Sequence, residues 1–502
     1  MHCIAKKYLI VLLCVVVCCN LRGQSAHSGN LLTDTLSSNK VDANGVNNPT
    51  PPAALYAVND IIITGNKKTK PFIIEREFSF HQGDSLTVDE LLKRIEQARR
   101  QLMNTRLYNE VVVSLQRIYT SSIDVAVDVK ERWYLFPFPL FRPIDRNLSE
   151  WAKQGYGLDR VNYGAKLAYY NVTGRNDKLK AQFINGYTPQ LQFSYEQPNA
   201  DKTLKHGYGI NVSYTTAKEI NYLTQNNEQR FIPLSAPRGI TDTLHNLFHN
   251  QVLNEQFNAT LTYTYRPAIR TKHTLRLGYN INRIDKAVLV ANPSYYDNKQ
   301  LSIAYPELSY TVEYNNIDYT VYPLSGFAGD ASFTKRGWGK DMNLWQLNAR
   351  GTVSRKVADK LFFALQGNGI LKLPFNQPYV NLRLLGYGDT YLRGLEKYVI
   401  DGVAGGILRS TLRREMLRFT VPLFKRFRSL DRVPFRIYLK TYADAGYSYS
   451  RELDHNPLTN TLLRTYGAGL DVVTFYDFVF RFEYSFNQLG QKGLFLHFRN
   501  DF

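Results

Sequence analysis

From residue 133 to residue 502 the chain is written in short runs of period two. The run "PQLQFSYEQ" sets Leu191, Phe193 and Tyr195 against Gln192, Ser194 and Glu196, and "YGINVSYTT" sets Tyr208, Ile210, Val212 and Tyr214 against Asn211 and Ser213. The same scheme recurs in "FNATLTYTYR", "ELSYTVEYNN" and "DFVFRFEYSFN". Strict alternation predicts strands with one apolar and one polar face. A water-soluble sandwich would read the same way, but other features favour a bilayer. Apolar positions at strand ends are often aromatic, and short turns alternate with long polar insertions such as "TAKEINYLTQNNEQRFIPLSAPRGITDTLHNLFHNQ", as in membrane barrels. Strands survive in a bilayer only when closed into a ring. The pattern therefore predicts an all-β, antiparallel transmembrane barrel of about sixteen strands over 133–502. Its first strand is expected near "VNYGAKLAYYNV" and its last at "GLFLHFRNDF", where Leu494, Leu496, Phe498 and Phe502 share one parity. The seam would join those two strands, with Phe502 at the membrane interface.

Between residues 56 and 132 the period changes. "VNDIIITGN" is an apolar β-rich run closed by a Gly-Asn turn, and "KPFIIEREF" reads as a short helix. "SLTVDELLKRIEQARRQLMNTRLY" opens with Thr87 as N-cap and Glu90 three residues on, a capping box. Leu91, Ile95, Ala98 and Leu102 then recur at helical spacing. Two alternating strands follow, "YNEVVVSLQRI" and "SSIDVAVDVKE". The order β-α-α-β-β predicts an α/β domain with helices on one face of a three-stranded sheet. Ahead of it, residues 26–55 are rich in Ser, Thr, Asn and Pro and read as a disordered linker.

Composition supports this division. Tyr 35 and Phe 28 make the chain 13% aromatic, while mean hydropathy is only −0.33. Alternation explains both, because the two faces of each strand average out. Lys6 and Lys7 precede the apolar stretch Tyr8 to Cys19, which is too short for a membrane helix and reads as a secretory signal over 1–25. Lipidation at Cys18 or Cys19 is the weaker alternative. All four cysteines lie in this segment, so cleavage would exclude disulfides, Cys-ligated zinc and thiol catalysis. The formal net charge is +19, yet Lys and Arg are spread singly, with no basic block interleaved with aromatics. That argues against nucleic acid as a partner.

A signal, one β-α-α-β-β module and a barrel ending in Phe together resemble the outer-membrane assembly and translocation superfamily, the BamA- and TamA-like bacterial surface antigen family, with a single POTRA domain. Locally, "ITGNKKTK", "GDSLTVDEL" and "RLYNEVVVSL" look like POTRA turns, with Tyr108 where Phe is usual. "YPLSGFAGDASF" is similar to the family's strand-entry motif through Pro323 and Gly326. "YLRGLEKYVIDG" looks like the Arg-Gly signature of the loop that folds back into the lumen, giving Arg393 and Gly394. Leu395 stands where the family has an aromatic. "YADAGYS" resembles the family's strand motif, giving Asp444 and Gly446. By this resemblance Arg393 reaches down the lumen to Asp444. A bidentate guanidinium–carboxylate pair would fix the loop as Lys could not.

No catalytic signature competes. G-x-S-x-G and H-E-x-x-H are missing from the sequence; "AGYSYS" has Ser450 where the closing Gly belongs, and His245 and His249 lie in a long loop without a third ligand. The resemblance implies a non-enzymatic protein of the bacterial outer membrane, its POTRA-like domain in the periplasm, needing no metal or other cofactor. It would insert or translocate unfolded outer-membrane or secreted client proteins, captured by strand addition on the module and at the seam. Outer-membrane lipids and accessory lipoproteins or periplasmic factors would be further partners. A lipid-exporting relative and a passive outer-membrane channel are the alternatives.

Overall fold

The computed structural model describes residues 54–143, 161–232, 252–296, 299–422, 432–451, 456–474 and 477–499. The expected signal, nearly all of the linker, the cysteines, His245, His249 and Phe502 lie outside them.

The N-terminal domain contains β1 (Leu55–Thr64), α1 (Pro71–Glu75), β2 (Ser85–Thr87), α2 (Val88–Asn104), β3 (Tyr108–Ile118) and β4 (Ser122–Glu131). Its sheet has four strands in the order β2-β1-β4-β3, with β1 and β4 parallel. The expected three-stranded sheet thus gains β2, which at three residues is too short to carry a period. Thr87 Oγ1 accepts from the Glu90 N–H at 3.2 Å and caps α2. The helix buries Leu91, Ile95, Ala98 and Leu102 against Val125 and Val127 of the sheet, forming the domain's core.

The second architecture begins with β5 (Leu135–Pro143), β6 (Val161–Tyr170), β7 (Lys178–Gly186), β8 (Gln190–Gln197) and β9 (His206–Ala217). A small hairpin, β10 (Asn221–Gln225) and β11 (Glu228–Phe231), precedes β12 (Asn254–Tyr265) and β13 (Thr271–Ile284). Helix α3 (Lys286–Ala291) leads to β14 (Ser302–Ile317), β15 (Gly326–Arg336), β16 (Leu344–Ala358) and β17 (Leu361–Leu373). After the two short strands β18 (Arg383–Leu385) and β19 (Ile400–Asp401) come β20 (Ala404–Pro422), β21 (Arg432–Tyr449), β22 (Leu462–Val473), β23 (Val479–Asn487) and β24 (Lys492–Arg499). Apart from the pairs β10-β11 and β18-β19, these strands form one 16-stranded sheet running from β5 to β24. Sequential neighbours in it pair antiparallel.

The sheet curls into a barrel around a polar cavity of about 980 Å³, which is lined from β13 on one side to β24 on the other. Its facing is the reverse of a soluble protein's. Leu261, Leu277, Phe333, Leu347 and Leu470 are exposed on the outside, while Thr274, Ser309, Thr334 and Thr411 are buried. An apolar outer wall continuous over many strands is a surface for hydrocarbon rather than water.

The first strand differs from the expectation. "VNYGAKLAYY" is β6, and the sheet begins one strand earlier, at β5. Pro137, Pro139 and Pro143 hid it, because proline cannot donate to a ladder and is tolerated only where its nitrogen faces an edge.

The N-terminal domain lies across the turns at one end of the barrel. Lys70 N–H donates to Gly174 O at 3.0 Å in the β6–β7 turn, and Arg76 Nε to Leu204 O at 2.7 Å in the β8–β9 turn. The buried carboxylate of Glu77 receives both terminal nitrogens of Arg266, at 2.6 and 2.8 Å, from the β12–β13 turn. Asn104 Nδ2 donates to Ile317 O and its Oδ1 accepts from Thr320 N–H, both at 3.0 Å, at the β14–β15 turn. Arg132 Nη1 meets Asp477 Oδ2 at 2.6 Å in the β22–β23 turn. Burial alone would raise the Asp477 carboxyl, but the hydrogen bonds and charge of Arg132 outweigh it and hold it below the ordinary value.

Loops close the opposite end. Ile220, Ile232, Ile284, Val288, Tyr295, Tyr296 and Tyr379 form an apolar cluster there. The β10–β11 hairpin turns on Asn226 and Asn227, both at positive φ, which suits a two-residue hairpin turn.

Candidate functional site

The segment between β17 and β20 returns into the barrel instead of crossing outside it, and Arg393 lies near its tip. Arg393 Nη2 is 2.5 Å from Asp444 Oδ1 and Nε is 2.8 Å from Asp444 Oδ2, a bidentate pair. Both residues are buried. The guanidinium also donates to Thr411 Oγ1 at 3.1 Å and to Ser410 O at 3.3 Å on β20. Its carbon stands 3.9 Å from the centroid of the Tyr442 ring, a stacking geometry that Arg favours.

Three inward positions of β21 therefore serve one loop. Tyr442 stacks on the guanidinium, Asp444 binds it, and Gly446 leaves room behind it. A Cβ at Gly446 would stand 2.9 Å from Leu392 Cδ1, so the missing side chain is the seat of Leu392. Gly467 on β22 does the same for Tyr442, since a Cβ there would lie 2.5 Å from the tyrosine oxygen. Tyr442 and Ser485 hydroxyls are 2.6 Å apart. Gly394 has φ +90° and would place a Cβ 2.8 Å from Ser485 Cβ, so both conformation and space require glycine. Asn487 Nδ2 holds the Gly394 carbonyl at 2.8 Å. Leu395 is buried with Leu384, Leu385 and Leu392.

The pair belongs to a wider set of buried charges. Glu483 lies 3.8 Å from Arg393 Nη1 and accepts from Lys440 Nζ at 2.6 Å. Lys440 also binds Asp471, whose other oxygen accepts from Tyr322 O–H at 2.8 Å. Positive and negative groups thus alternate across β21, β22 and β23, each with a partner, as buried charges require. His497 on β24 places Nε2 3.3 Å from both Glu396 of the loop and Glu483 of the wall. From above, the β10–β11 turn grips the same segment: Val399 N–H donates to Asn227 O at 2.9 Å, and Asn227 Nδ2 to Val399 O at 3.2 Å.

Of the sequence-derived residues, Arg393, Gly394, Asp444 and Gly446 meet in this one place. Pro323 and Gly326 sit apart, at the β14–β15 turn; the Pro323 carbonyl accepts from Arg413 Nη1 at 3.0 Å. Gly326 has φ +106°, and a Cβ there would be 2.1 Å from the Asn316 carbonyl oxygen. Gly326→Ala is expected to lower stability by about 2–4 kcal/mol, combining the strain of left-handed backbone with a backbone clash. A thermal melt of the purified variant checks this. Leu494 and Leu496 face outward from β24; of Phe498 only the backbone is described. Tyr442, Thr411, Lys440, Asp471 and Glu483 were not foreseen. Tyr442 shares the parity of Asp444 and Gly446 and could have been.

Comparison with known proteins bears on the N-terminal domain first. Residues 56–132 match the POTRA family model, described as "Surface antigen variable number repeat". The chain carries a POTRA domain. That domain stands ahead of the 16-stranded barrel. No curated protein matches its sequence. Among solved structures, BamA from Haemophilus ducreyi lacking POTRA domains 1–3 is similar at 15% identity over 88% of this chain and 84% of that one, with a TM-score of 0.44. CdiB from Escherichia coli is similar at 12% identity, covering 91% of each chain, with a TM-score of 0.47. CdiB from Acinetobacter baumannii gives 13% identity, 88% and 73% coverage and 0.46.

Proposed function

We propose that this POTRA-barrel protein is a non-enzymatic component of the bacterial outer membrane that inserts or translocates client polypeptides. The observation that carries this reading is the combination of a POTRA domain with a barrel whose inner loop is fastened to the wall by a bidentate buried ion pair. A passive pore needs neither. The apolar outer wall supports placement in a bilayer, and the end bearing the POTRA domain would face the periplasm.

Client capture would begin at the POTRA domain. Its sheet ends on β3, where Val112 and Ile118 are exposed. An extended segment adding there gains backbone hydrogen bonds without strict demands on its sequence. The Arg393 loop would then shift as the barrel admits the client, and no nucleotide is consumed. Accessory factors and lipids would act around this core.

Quantitative outer-membrane proteomics after depletion tests the reading, alongside an Arg393→Ala strain at equal expression. Loss of many barrel proteins is the outcome for a general inserter, and loss of one or two surface proteins that for a dedicated translocator. An unchanged protein inventory with altered lipid distribution or solute uptake would replace this reading with lipid export or a channel.

A further inference from the structure

Where the inner loop meets the last two strands, three metal-ligating side chains converge from three separate elements. Glu396 comes from the loop, Glu483 from β23 and His497 from β24, and their donor atoms lie within 4.8 Å of one another. His497 Nε2 stands 3.3 Å from Glu396 Oε1 and 3.3 Å from Glu483 Oε2. Yet His497 Nε2 and Glu396 Oε1 are both buried, and neither has a hydrogen-bond partner among the described residues. Facing polar atoms left unpaired in a protein interior cost free energy unless something sits between them. The distances fit an ion. A tetrahedral zinc with its ligands at 2.0–2.2 Å holds neighbouring donors about 3.4 Å apart, whereas a direct hydrogen bond would draw nitrogen and oxygen to about 2.9 Å.

The surrounding contacts aim the three donors at one point. Glu396 Oε2 accepts from the Gly394 N–H at 2.8 Å, which leaves Oε1 turned to the histidine. Glu483 Oε1 accepts from Lys440 Nζ at 2.6 Å, which leaves Oε2 turned the same way. The Tyr391 ring stacks on the imidazole with centroids 5.4 Å apart. Outer contacts of this kind orient the ligands of metal centres. His497 and Tyr391 also line the polar cavity, which gives an ion an aqueous route in. One imidazole and two carboxylates, with no thiolate, suit zinc or a similar first-row divalent ion. A water from the cavity would complete the coordination.

We propose that Glu396, Glu483 and His497 bind a divalent transition-metal ion such as zinc, which clips the inner loop to β23 and β24. The sequence raised no expectation of a metal, because the three residues lie far apart in the chain and form no local motif. The site stands whether or not the protein handles client polypeptides.

The test uses the untagged, chelator-washed full chain folded in detergent micelles, with Zn2+ alone as the probe. Equilibrium dialysis followed by elemental analysis is expected to find about one tightly bound zinc per chain, the complement of a single three-ligand site. His497→Ala and Glu396→Gln should each weaken binding by about 100-fold or more, since even an outer contact of a metal centre is worth 10–100-fold. The glutamine keeps an acceptor for the Gly394 N–H, so that variant tests the ligand without unfastening the loop. His273→Ala, at an exposed tyrosine contact elsewhere, should leave binding unchanged. X-ray absorption at the zinc edge should show nitrogen and oxygen donors at about 2.0–2.2 Å. Zinc should also slow amide exchange at Leu395 and Lys397 in the parent but not in Glu396→Gln. Equal zinc uptake by the parent and both ligand variants would mean adventitious surface binding and would overturn the site, as would no uptake by the parent. Ligand-dependent binding that leaves loop exchange unchanged would overturn the clip.

Discussion

Arg393→Ala is expected to release the inner loop and to cost about 3–5 kcal/mol, because it leaves the buried Asp444 carboxylate without its cation. The stacking on Tyr442 and the hydrogen bonds to Thr411 and Ser410 disappear with it. Thermal unfolding should shift down, and protease should cut between residues 375 and 400, a segment the parent protects. Arg393→Lys should rescue little, since an ammonium cannot span both carboxylate oxygens or stack on the ring. A double change, Arg393→Met with Asp444→Leu, should lie closer to the parent than Arg393→Ala alone, because no charge is then stranded. If Arg393→Ala melts like the parent and resists protease, the pair does not hold the loop.

The second large effect concerns the POTRA domain's seat on the barrel. Arg132→Ala removes the guanidinium from Asp477, in a pair whose side chains are only 8% and 5% exposed, and should weaken docking by ~3 kcal/mol. Tyr319 O–H, also bound to Asp477, cannot replace the charge. Spin labels on the POTRA domain and on the β14–β15 turn would report a broadened distance distribution. Acid should act the same way. The Asp477 carboxyl sits below its ordinary value in the folded protein, so its contribution is complete above the unfolded pKa of about 4 and is lost as pH falls below it. An Asp477→Asn variant should remove most of that pH dependence.

The barrel was legible because alternation survives in nearly every strand, and one face had to be apolar whatever it faced. Among the strands that escaped, β2 and β5 did so for clear physical reasons. β2 spans three residues and carries no period, and β5 carries three prolines within nine residues. The outer loops were read as polar insertions, yet part of one folds as the β10–β11 hairpin on Asn226 and Asn227, a turn signal present in the sequence. At the site, Arg393, Gly394, Asp444 and Gly446 stood out because each sits in a short local pattern. Lys440, Asp471 and Glu483 did not. They come from three strands, and only the register of the sheet brings Lys440 opposite Gly469 and Gly469 opposite Glu483.

A barrel of sixteen strands has a further physical consequence. Barrels of this size with bare walls hold an aqueous channel, and in a membrane such a hole would let small toxic solutes equilibrate across it. Here the Arg393 loop occupies part of the interior, the apolar loop cluster covers one end and the POTRA domain lies across the other. On the proposed function, the resting molecule would be part of the cell's permeability barrier, and each opening for a client would be a brief leak that the ion pair at Asp444 reseals.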